Sequence, residues 1–215
     1  MKDNPEFQIY DYDKEVQIIA DRIERCKKII NSNEIQAIPS FNEIILREFE
    51  AVLDTLRIGH FHASARCARA ALELTAANLC LYHHVSGDGR LIDMSFSKKY
   101  RVYGLTHKKN SPILQLIKLG ILDDFIFRAF CEEYSELSSY VHYRETYHLI
   151  HIMPELIGSE HNYSEVLRLS GNNDEIGRIV KATMIHKTLG TAFEVLEMLL
   201  VNYNGINKTE ANAGH

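Results

Sequence analysis

The stretch "HASARCARAALELTAANLCLYHH", residues 62–84, decides the fold. Alanine and leucine dominate it, no proline or glycine interrupts it, and its intrinsic helix propensity is the strongest in the chain. Small side chains let neighbouring helices approach closely, so this segment is placed at the centre of a helical bundle. The flanking sequence agrees. The chain holds only four prolines, and apolar residues recur at a period near 3.6, which reads as an all-α fold.

On the N-terminal side, Val16, Ile19, Ile23 and Ile30 mark one stripe of a helix from about Asp13 to Asn31. "SFNE" (40–43) has the form of a capping box and opens a second helix carrying Ile44, Phe49, Val52 and Leu56, which ends near Gly59. Beyond residue 84, "VSGDGR" (85–90) is expected to break the chain, with His83 and His84 closing the long helix. Residues 86–110 should form an irregular basic loop, where only "RLIDMSF" (90–96) or "YRVYG" (100–104) could form a short hairpin. Ser111, Pro112 and Gly120 bracket a further helix, and another is expected from Asp123 through Tyr140. Pro154 and Gly158 interrupt the pattern. A last helix should span 175–202, followed by a disordered tail at 204–215. The expectation is one helical-bundle domain over 1–203, with its core at about 40–155.

Composition excludes several classes. The 215 residues are 46% hydrophobic and 25% charged, which suits a globular domain with a substantial core. No apolar run approaches the roughly 20 residues that cross a bilayer, and the acidic N-terminus lacks the form of a signal peptide. Cys26, Cys67, Cys80 and Cys131 are far apart with no CxxC pair, so they read as reduced core residues and point to a cytoplasmic location. The net charge of −5 predicts no protein-wide attraction to nucleic acid, yet residues 98–109 hold five Lys or Arg and no acid. No P-loop, GxSxG or GxGxxG is present.

The order of features then becomes informative. "ARCARAALE" (65–73), the helix–Gly–helix unit "ILQLIKLGILDDFI" (113–126) and "YSELSSYVH" (134–142) follow one another. This series resembles the HEPN superfamily, in its uncharacterised bacterial branch with an Arg…Leu-Glu helix and a later Ser…His helix, over roughly residues 45 to 145. The resemblance implies an antiparallel helical bundle that forms a homodimer. It also implies one of two activities: a metal-independent endoribonuclease of a stress or anti-phage system, or a non-catalytic module that binds a partner protein (encoded by a neighbouring gene), a ligand or nucleic acid. Many such ribonucleases use Arg-x(4–6)-His, and Arg144 with His151 in "RETYHLIH" fits that spacing. The residue after the arginine departs from the family preference: it is Glu145 rather than Asn, Asp or His.

If 134–151 is one helix, Arg144, His148 and His151 share a face, while His142 and Ser138 lie on nearly the opposite one. The first face suits RNA cleavage. His151, or alternatively His148, would act as the acid/base, and Arg144 would hold the phosphate. The bland alternative is a solvated polar face. On the second face, Arg69 and Glu73 are one turn apart among apolar residues and need a partner, for which His142 or Ser138 is the candidate. That group is either a tie that fixes helix register or a ligand pocket. Lys98, Lys99, Tyr100, Arg101, Lys108 and Lys109, interleaved with aromatics, are the candidate RNA contact. His60 and His62, or His83 and His84, could add ligands to a metal site beside His148 and His151. HExxH is absent and no carboxylate sits at a diagnostic spacing, so neither a metal nor another cofactor is expected.

Overall fold

Asp11 opens the first helix by accepting a hydrogen bond from the Lys14 backbone N–H at 2.8 Å. Helix α1 runs Tyr12–Asn31, with Asp13 and Glu15 in its first turn and Lys28 in its last, the order that complements a helix dipole. The structure, a computed structural model, describes residues 9–32, 39–88, 122–141 and 175–213. These form α2 (Pro39–Arg57), α3 (Phe61–Asp88), α4 (Asp124–Val141), and a last rod made of α5 (Glu175–Met184), a π turn (Ile185–Leu189) and α6 (Gly190–Ala213). Every element among the described residues is helical, and none of the helices is long and apolar enough to cross a membrane.

The α1 stripe is buried at Ile19, Ile23 and Ile30, joined by Glu15 and Cys26, while Val16 packs at its edge. On α2 the buried set is Ile45, Phe49, Val52, Leu53 and Leu56, and the expected Ile44 is exposed instead. Steps of four and seven from Ile45 reach Phe49 and Val52, so spacing favours Ile45 over its neighbour. Pro39 occupies the first turn, where its fixed φ suits a helix start, so Ser40 lies inside α2 rather than at the cap. Gly59, at φ 79°, closes α2. Its N–H reaches the Leu56 carbonyl at 2.8 Å and the His60 N–H reaches the Thr55 carbonyl at 2.8 Å, a Schellman ending that requires the left-handed region. Thr55 and Ser64 then join hydroxyls at 2.8 Å across the corner, and the Tyr12 hydroxyl donates to the Leu56 carbonyl.

Helix α3 does not stop at His84. It continues through "VSGD" to Asp88, so His83 and His84 do not close it, and residues 86–88 are helical rather than loop. A mid-helix glycine costs about 1 kcal/mol, too little to end a helix already propagating from more than twenty residues. The last rod likewise passes Asn202 and continues to Ala213, through most of the tail for which disorder was expected. No proline stops it there. The segment 110–120 lies outside the described residues.

Helix directions follow from cross-helix pairs. Asn42 meets Asn78 and Thr55 meets Ser64, so α2 and α3 are antiparallel. Glu136 meets Thr188, and Tyr12 meets Leu56. Asp13–Arg178, Glu15–His186, Arg22–Glu194 and Arg25–Glu197 advance together along both chains, so α1 and the last rod run parallel. The antiparallel expectation therefore fails for the first and last helices.

Helix α3 packs against α2, α4 and the last rod. Ala65, Ala68, Ala71, Ala76 and Ala77 are all buried there, filling its contact faces with the smallest side chain that keeps full helix propensity. Ala71→Leu preserves that propensity but overfills the interface, and should destabilise the protein by about 1–3 kcal/mol in urea unfolding. Arg25→Ala removes an exposed ion pair with Glu197 and should cost less than about 1 kcal/mol.

Candidate functional site

Arg69 on α3 and Tyr134 on α4 form a polar contact between these helices. Arg69 Nη2 donates to the Tyr134 hydroxyl oxygen at 2.6 Å, and the guanidinium carbon lies 4.9 Å from the Tyr134 ring centroid. Tyr134 also stacks on the buried Phe130, with centroids 6.1 Å apart and planes at 18°. A cation–π contact and a charged hydrogen bond thus act on one ring. Arg69 Nε is buried without a hydrogen-bond partner among the described residues.

Ser138 does not partner Arg69. Its hydroxyl donates to the Tyr134 carbonyl of its own helix at 2.6 Å, the i−4 bond that a short side chain reaches most readily. The longer tyrosine spans the gap between helices. Glu73 is half-buried one turn along α3 from Arg69. Of the four residues expected on this face, Arg69 is bound across the α3–α4 interface, to Tyr134, while Ser138 bonds within its own helix. His142 lies outside the described residues, as do Arg144, His148 and His151 and the basic positions Lys98, Lys99, Tyr100, Arg101, Lys108 and Lys109.

Sequence reasoning missed a second cluster around the π turn. A π turn inserts one extra residue and re-aims the side chains on either side of it. Here Thr188 points inward and donates to Glu136 Oε1 at 3.0 Å. His186 points outward and places Nδ1 3.1 Å from the buried Glu15 carboxylate, while Tyr10 stacks on its ring at 4.0 Å. This arrangement orients the imidazole through Nδ1. Beside Glu136, Glu133 is buried, and its Oε2 has no hydrogen-bond partner among the described residues. Burial, and then the like charges of Glu136, Glu132 and Glu194, push its carboxyl up to about 8, so it carries a proton at neutral pH. One signal was available in the sequence: Phe130, Glu133 and Leu137 share a helical face, which places an acid on a core stripe.

The thiols offer little nucleophilic character. Burial pushes Cys26 up to about 12, and Cys67 and Cys131 each up to about 11, and all three are free. Among the described residues no three His, Cys, Asp or Glu side chains gather to hold a metal ion. Compared with known protein families, curated proteins and solved structures, the chain matches none.

Two substitutions test this interface. Tyr134→Phe leaves Arg69 without its acceptor and should cost about 1–3 kcal/mol, whereas Ser138→Ala should cost less than about 1 kcal/mol, both read by chemical unfolding. For Glu133, the folded state keeps a proton that the unfolded chain releases near 4.5. Stability therefore falls as pH rises from about 4.5 to about 8 and then levels. Glu133→Gln should remove this slope, raising stability by about 1–3 kcal/mol at pH 8 with little effect at pH 5 in thermal melts.

Proposed function

We propose that this chain is a HEPN-like helical module that engages RNA, with Arg144 and His151 as a metal-independent cleavage pair and the 98–109 segment as its basic contact. The resemblance over roughly 45–145 supports this reading. The observation that carries it is the fixing of α4. The Arg69–Tyr134 contact ties α4 to the central α3, and α4 ends at Val141, only three residues before Arg144. A reacting pair needs such a rigid mount to hold geometry. In this reading the imidazole of His151 removes the 2′-hydroxyl proton or protonates the leaving oxygen, and the Arg144 guanidinium holds the phosphate. His148 is the alternative acid/base. A homodimer and a bacterial stress or anti-phage setting belong to the same proposal.

One observation favours a second reading, a non-catalytic module that binds a partner protein or ligand: Arg69 is engaged in joining two helices, through its bond to Tyr134. RNA incubated with the purified full chain in EDTA separates the two. The enzyme reading expects cleavage that Arg144→Ala or His151→Ala abolishes, with unchanged circular dichroism. Wild-type protein that leaves RNA intact both in EDTA and in magnesium would hand the case to the binding module.

A further inference from the structure

Glu133 is 9% exposed on the face of α4 that carries the fully buried Phe130 and Leu137. Neither reading of the function uses it. Its Oε2 is buried and has no hydrogen-bond partner among the described residues, so no bond compensates burial at that atom. We propose that Glu133 is a proton-operated latch: with its proton it seats α4 in the bundle, and without it α4 opens locally to put the carboxylate in water.

The surrounding charges set the direction of the switch. Helix α4 packs against α3 and the last rod. Glu136 and Glu132 act on Glu133 from its own helix and Glu194 from the last rod, and all three are carboxylates. Arg69 of α3 donates to Tyr134, and Arg22 of α1 pairs with Glu194 at 3.2 Å, so neither cation serves Glu133. Glu136 is also held in place, because the Thr188 hydroxyl of the π turn donates to its Oε1 at 3.0 Å. A negative charge at Glu133 thus faces like charge at the same seam, without a counter-ion and away from water. A proton removes that conflict, and local opening removes it by hydration. The next residue, Tyr134, carries the tie to Arg69, so opening at this turn also loosens the contact that mounts α4 on α3.

Burial, and then the neighbouring carboxylates, raise the Glu133 carboxyl from 4.5 to about 8 in the closed bundle. In the open form it is in water and keeps its ordinary value. The open population therefore grows about tenfold per pH unit between about 4.5 and about 8. Above that it levels, because the closed form then releases its proton too. Glutamine has no proton to release, so Glu133→Gln keeps the latch shut at every pH. The switch stands independently of whether Arg144 and His151 cleave anything.

Hydrogen exchange of the full chain from pH 5 to pH 9 reads the open population. The ratio of wild type to Glu133→Gln at each pH cancels the intrinsic pH dependence of exchange. For amides 130–137 this ratio should climb from pH 5, by about tenfold per unit where steepest, and level near pH 8. At pH 8, low urea should leave these amides unchanged in wild type while it accelerates amides 65–77, because a local opening exposes little surface. Glu136→Gln removes one like charge and should bring the levelling point to lower pH, a readout in a variant that keeps Glu133 itself. The latch is wrong if the ratio is flat with pH, if amides 130–137 share the urea dependence of 65–77 at pH 8, or if Glu136→Gln levels where wild type does.

Discussion

Close approach to one small-sided helix is the constraint on which the structure depends. Helix α3 meets α2, α4 and the last rod, and three neighbours can reach one helix only where its surface is low. Buried alanines supply that surface, with Ser64 and Thr75 buried beside them at 0% and 2% exposure. The larger volumes come from the partners: Phe49 from α2, Phe130 and Leu137 from α4, and Phe193 from the last rod are all fully buried. The Phe49 and Phe193 ring centroids lie 5.8 Å apart, so α2 and the last rod meet through aromatic rings in the core. Large residues facing small ones is the interdigitation that gives native packing density.

Polar groups in this core set register rather than supply the main stabilisation. Arg69 on Tyr134, Thr188 on Glu136 and Asn78 on Asn42 each join two helices at a single height. Sliding one helix by a turn would leave such groups buried and unpaired, at a cost of about 1–3 kcal/mol each. The parallel seam between α1 and the last rod works from the surface. Its ion pairs are largely exposed and individually weak, but they repeat along four positions and agree on one alignment. The π turn serves the same end, because it lets His186 answer α1 while Thr188 answers α4.

Much of the frame was legible in the sequence, for reasons tied to particular residues. The alanine run of 62–84 announced the central helix because propensity and small size coincide there. Ile19, Ile23, Phe49, Val52 and Leu56 were readable because burial follows helical period. Helix ends were less readable. Gly87 does not end α3, whereas Gly59 ends α2, because only the second takes a positive φ within a Schellman bond pattern. Residue type cannot distinguish these two glycines. The parallel seam had no local signature, since its pairings run across more than 150 residues of sequence, and the π turn reaches Glu15 and Glu136, which are likewise distant in sequence. The partner of Arg69 was sought among Ser138 and His142 by spacing alone, and the reach of a tyrosine ring decided it instead. Arg144, His148 and His151 were legible as a pattern of residue types, and they lie outside the described residues.

The central claim, that α3 is the immobile centre and α4 is mounted on it, is tested most directly by native-state hydrogen exchange. Amides of residues 65–77 should exchange only through global unfolding, with one shared free energy that is the highest in the chain. Amides of α4 around Tyr134 should follow close behind and lose that protection in Tyr134→Phe. Protection in α3 lower than in α1, or unchanged α4 protection in that variant, would contradict the account.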